Sequence, residues 1–76
     1  MPKFEYTVDD EPFTTEKEVL TPREILVAAN FDPTKFYLIL LEGHEQVSYK
    51  DRPDEAIHMR NHMKFITAKL GPTTTS

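Results

Sequence analysis

Only one stretch of this chain carries a complete helix-initiation signal, and that restricts everything around it to strands and turns. Thr21 is a good N-cap, and Pro22 follows at the first helical position, where its fixed φ costs nothing. Glu24 lies three residues after Thr21, the spacing at which a capping box closes: each side chain satisfies an otherwise orphaned backbone N–H of the other's turn. Leu20 before the cap and Ile25 at the fourth helical position have the spacing of a hydrophobic staple. Ile25, Leu26 and Ala29 then share one face. Asn30 tolerates the left-handed conformation that ends helices, and Pro33 blocks continuation. The spacing predicts a single short helix over about 22–30.

The flanking segments read as strands. Residues 3–8, KFEYTV, alternate strictly, with Phe4, Tyr6 and Val8 on one side and Lys3, Glu5 and Thr7 on the other. A polar cluster, Asp9-Asp10-Glu11-Pro12, turns the chain into a second strand over 13–19, which makes a hairpin. Residues 36–42, FYLILLE, form an apolar run too short for a helix and bounded by Pro33 and Gly43. Gly43-His44 makes a tight turn into 45–49, and residues 63–70, MKFITAKL, form the last strand. Residues 50–62 read as a polar excursion with one helical turn, from which Ile57 and Met59 plug the core. The expected class is α+β, in the order β-β-α-β-β-β. One amphipathic helix is buried economically by laying it across a mixed sheet. With the first and last strands parallel at the centre, the crossover is right-handed and the arrangement is a β-grasp. The domain is expected over 1–70, with 71–76 a flexible tail.

Composition excludes several functions. At 76 residues the chain makes one domain with a small core, burying only about 60% of its extended-chain surface. A deep catalytic cleft is not expected. There is no cysteine, so neither a disulfide nor a thiolate site is available. Nine basic against thirteen acidic residues leave a net charge of −4, which does not suit nucleic acid. No apolar run approaches a membrane span and MPKFEY lacks a signal-peptide core, so no membrane partner and a cytoplasmic location are expected. No phosphate loop, nucleophile elbow or metalloprotease motif is present. The expectation is a non-enzyme without cofactor or metal, monomeric or weakly dimeric.

Two stretches carry a resemblance. LTPREILVAANFDPTKFYLILLEG (Leu20 to Gly43) and MKFITAKLGP (Met63 to Pro72) resemble the ubiquitin-like β-grasp family, and within it the bacterial multiubiquitin-type domains. That resemblance implies a protein modifier or protein-interaction module of a bacterial ubiquitin-like system. The implied partners are an activating or conjugating enzyme, or a deubiquitinase-like peptidase. The alternative is a non-catalytic β-grasp subunit packed permanently in a larger enzyme complex. One departure stands out. Conjugated members end in two glycines, whereas this chain has Gly71 followed by Pro72 and four hydroxyl residues. Conjugation would therefore require trimming to Gly71.

The candidate docking surface is the sheet face that the helix leaves open. Alternation sends Tyr37, Ile39 and Leu41 one way and Phe36, Leu38 and Leu40 the other. Leu38 and Leu40 are assigned outward, joined by Ile66 and Ala68 from the last strand, with His44 at the margin. A compact apolar patch with a polar rim marks an interaction site. His58 and His62 are four apart, a zinc-compatible spacing on a helix, but solvated histidines are the simpler reading. Asp9, Asp10 and Glu11 lack the ligand spacing of a calcium loop and read as a solvated turn.

Overall fold

A computed structural model describes residues 3–70. Its elements in chain order are β1 (Phe4–Val8), β2 (Glu11–Thr15), β3 (Val19–Leu20), α1 (Pro22–Ala28), β4 (Phe36–Glu42), β5 (Glu45–Ser48), β6 (Ile57–His58) and β7 (Met63–Lys69). One helix lies over a mixed five-stranded sheet of order β2-β1-β7-β4-β5, so the α+β class and the single helix are as expected. β1 and β7 are parallel, and every other neighbouring pair in that sheet is antiparallel.

The helix is bounded by the signals read from the sequence. The Thr21 hydroxyl accepts from the Glu24 N–H at 3.1 Å, and the Glu24 carboxylate accepts from the Thr21 N–H at 2.9 Å. At the other end Ala29 is the cap and Asn30 takes φ 68°. The Asn30 N–H donates to the Val27 carbonyl and the Phe31 N–H to the Leu26 carbonyl, the two bonds of a Schellman motif. The helix proper thus stops at Ala28, slightly short of the expected end.

The β1–β2 turn is tighter than the four-residue cluster suggested. Asp9 and Asp10 both have positive φ (51° and 69°), so Val8 pairs directly with Glu11 and Pro12 lies inside β2. That backbone matches the right-handed twist of the strands it joins. Pro12 is tolerated because β2 is an edge strand. Asp9 also ties this turn to β7. The Thr67 N–H and hydroxyl both donate to its carboxylate, at 3.0 and 2.7 Å, which continues the parallel β1–β7 pairing beyond Val8. At the opposite end of that pairing the Glu5 N–H donates to the Asn61 side chain at 2.9 Å and the His62 N–H to the Glu5 carbonyl at 2.7 Å.

The excursion over 50–62 departs from expectation. It contains no helical turn. β6 pairs with β3 in a small antiparallel sheet, Val19 opposite His58 and Leu20 opposite Ile57. Two residues per strand are too few to show alternation, so this pairing left no periodic signal. Ile57 and Met59 do fill the core. The preceding strap is held to the helix by the Arg23 guanidinium on Asp54 (2.9 Å) and by the Arg23 N–H on the Pro53 carbonyl (3.0 Å).

The core lies between helix and sheet. It comprises Tyr6, Val8, Leu38, Leu40, Met63 and Phe65 from the sheet, Ile25 and Leu26 from the helix, and Leu20, Tyr49, Ile57 and Met59 from the connections. Phe65 stands edge-on to Tyr6, which stacks on Phe13. Among the described residues no buried side chain is charged, so burial of apolar area is the main stabilising term.

Candidate functional site

The register decides which residues face away from the helix. Leu40 is opposite Phe65, and Leu38 is opposite Thr67, so these share the helix side. Leu38 is fully buried and Leu40 is 5% exposed, which corrects their assignment to the outward face. They cannot contact a partner without the core opening. The physical reason is that β4 is apolar on both sides, so its own sequence does not say which side is covered.

The outward side of β4 is instead Tyr37, Ile39 and Leu41. Across the β4–β7 ladder Tyr37 faces Ala68, Ile39 faces Ile66 and Leu41 faces Lys64. Ile66 and Ala68 therefore lie on the outward face, as expected. Tyr37, Ile39, Leu41, Ile66 and Ala68 are all half-buried, forming one apolar stripe across two adjacent central strands. Gln46 and Ser48 of β5 border it on one flank, and the Lys50 ammonium sits 5.9 Å from the Tyr37 ring centroid. Thr7 of β1 lies on the other flank, beyond Lys64.

His44 is exposed at the tip of the β4–β5 hairpin, after Gly43, whose φ of 58° is the one place where this turn requires glycine's freedom. Its margin position is thus at the hairpin end rather than in the stripe. Gly71 lies outside the described residues. His58 belongs to β6 and His62 to the turn before β7, so they do not share a helical face. Among the described residues no group of three or more metal-ligating side chains comes together, and no helix is long and apolar enough to cross a membrane.

Both edges of the sheet are blunted. In β2 the exposed edge includes Pro12, which has no N–H to offer. Beside β5, the Arg52 guanidinium donates to the Ser48 carbonyl at 2.6 Å while its carbon lies 4.9 Å from the Tyr49 ring centroid. Strand addition is therefore disfavoured at Pro12 on one edge and at Ser48 on the other. Away from the face, exposed ion pairs join Lys17 to Glu24, Arg23 to Asp54, Arg52 to Glu55 and Arg60 to Glu42. The Asp54 carboxyl is held below the ordinary range by its hydrogen bond from Arg23, and Glu24 by the Thr21 N–H.

The sequence reasoning missed Tyr37, Ile39 and Leu41. A usable signal sat in β7: Lys64 must face water, so Met63 and Phe65 face the core and Ile66 faces out. Carrying that choice to β4 required the register, which the sequence does not supply. Compared with protein-family models, curated proteins and solved structures, the chain matches none.

Proposed function

We propose that this domain is a ubiquitin-like β-grasp module of the bacterial multiubiquitin type that docks protein partners through its outward sheet face. The fold reading is supported by strand order β2-β1-β7-β4-β5, by parallel β1 and β7, and by a helix that follows the first hairpin. The functional reading rests on one observation: the apolar stripe of Tyr37, Ile39, Leu41, Ile66 and Ala68 lies on the side of the sheet that the helix does not cover.

A sheet needs one apolar side to bury against its helix and can leave the other polar. Isoleucine facing isoleucine across the centre of the second side adds nothing to the helix–sheet core. It gives a partner a desolvatable centre with polar groups around it, the arrangement from which interfaces draw most of their energy. The partners this reading favours are an activating or conjugating enzyme, or a deubiquitinase-like peptidase. Binding alone accounts for such a role, and the domain contributes no catalytic group. Joining of the chain to a target would be a separate property, dependent on residues beyond Leu70.

Site-specific photo-crosslinking in the native host tests this. A photoreactive side chain at position 39 or 66 is expected to trap a partner. The same group at Val27, which is 57% exposed on the helix, is expected to trap none. Adducts from position 27 and none from 39 or 66 would place the docking surface on the helix and refute the proposal.

A further inference from the structure

Beside the stripe, on the same outward side, lies a hollow of about 340 Å³ across β2, β1 and β7. Phe13, Tyr6 and Met63 form one cross-strand row and turn their side chains inward, towards the core. The rows on either side project outward by strand alternation: Glu5, Thr7, Pro12 and Thr14 with Lys64, closed at one end by His62. The outward side chains of Thr7, Pro12 and Thr14 are short, which leaves the dent between them and Lys64. Its walls are mostly apolar. A volume of this size accepts one large side chain such as an aromatic ring, the residue type that most often anchors an interface.

The charges around this surface differ from those of the chain. Within the strands the outward side carries one cation, Lys64, and one carboxylate, Glu5. Lys50 adds a second cation at the far end of the stripe, over Tyr37. Lys64 and Lys50 thus give the stripe a cation at each end on a chain of net charge −4. Neither Lys50 nor Lys64 forms an ion pair among the described residues. Lys64 stands between the hollow and the stripe, level with Leu41, while Lys50 is level with Tyr37. Four strand residues separate those levels, about 13 Å.

We infer that the occupant of this face is an acidic apolar segment of another protein. Its aromatic anchor enters the Thr7–Pro12–Thr14 hollow, its carboxylates meet Lys64 and Lys50, and its aliphatic side chain lies between them on Ile39 and Ile66. The inference rests on the docking reading above and specifies the partner's chemistry. Rim charges of this kind steer the encounter and reject wrong partners more than they add affinity.

The test uses the synthetic peptide acetyl-Trp-Ser-Glu-Ser-Ile-Ser-Glu-amide, whose alternate residues face one side when extended. Its counterpart carries lysine for both glutamates. The protein has no tryptophan, so peptide fluorescence reports binding without background, and amide shifts of the labelled protein report location. The acidic peptide is expected to shift Thr7, Thr14, Lys64 and Ile66 and to bind at least fivefold more tightly than the basic one at low salt. Lys64→Glu, an exposed change that leaves the core intact, is expected to reverse that preference. Equal binding of both peptides on this face would overturn the charge assignment while leaving the docking reading standing. Shifts confined to other surfaces, or none at millimolar peptide, would overturn the inference, and the docking reading would then stand or fall by crosslinking.

Discussion

Leu38 and Ile39 are adjacent, similar in size and opposite in role, so truncating each in turn measures which side of β4 is covered. Leu38 is fully buried beneath the helix, and Ile39 is half-buried on the outward face. Removing the Leu38 side chain beyond Cβ loses its transfer free energy and leaves a cavity that neighbours such as Leu26 and Phe65 fill only partly; the cost is about 3 kcal/mol. Ile39→Ala opens no cavity and gives up a smaller share of buried area, about 1 kcal/mol. For a chain of 76 residues, an unfolding entropy of about 2.1 cal/mol/K per residue gives roughly 0.16 kcal/mol/K in total. The expected falls in Tm are then about 20 °C for Leu38→Ala and about 6 °C for Ile39→Ala. With total stability of order 4–11 kcal/mol for a domain this size, Leu38→Ala removes a large fraction of it. Chemical denaturation with circular dichroism gives both values, and an unchanged m-value confirms that the unfolding transition is comparable. Equal costs, or a greater cost at Ile39, would refute the assignment of faces.

Three further outcomes follow from local structure. Thr21→Ala removes half of the capping box and is expected to cost about 1 kcal/mol in denaturant unfolding, with no gain from mutating Glu24 in that background. Asp10→Gly is expected to stabilise by about 0.5 kcal/mol, because glycine occupies positive φ without strain, whereas Asp9→Gly is expected to destabilise by about 1 kcal/mol through loss of both Thr67 hydrogen bonds. In acid, Asp54, Glu24 and Asp32 are each held below the ordinary carboxylate range, by the hydrogen bonds from Arg23, from the Thr21 N–H and from Thr34 respectively. A depressed folded-state pKa gives stability that is present above the ordinary value and lost as pH falls through the lowered one. Tm is therefore expected to decline below about pH 4, and Asp54→Asn to flatten part of that decline; a steeper slope in the variant would contradict the Arg23 pairing.

How legible each element was depended on whether its signal was local. The start of the helix was legible because its capping box acts within one turn, and its end was legible to within about two residues from Asn30. β1 was legible from Phe4, Tyr6 and Val8, and β7 from Lys64 among apolar neighbours. β4 was legible as a strand but not as a pair of faces, since Leu38 and Ile39 are equally apolar and only the ladder to β7 tells them apart. The Val19–Leu20 and Ile57–His58 pairing was invisible because its partners are far apart in sequence and each strand is only two residues long. The hollow beside the stripe was likewise out of reach. It lies where the short side chains of Thr7, Pro12 and Thr14 meet Lys64, which is a matter of register across three strands.

The most direct measurement is relaxation of side-chain methyl signals by a soluble paramagnetic agent, which reports the solvent access of every isoleucine and leucine at once. Ile39 and Ile66 should relax strongly together with the Leu41 methyls, and Leu38, Leu40 and Ile25 should be protected. Protection of Ile39 and Ile66 at the level of Leu38 would mean that the second side of the sheet is covered, and no docking face would remain.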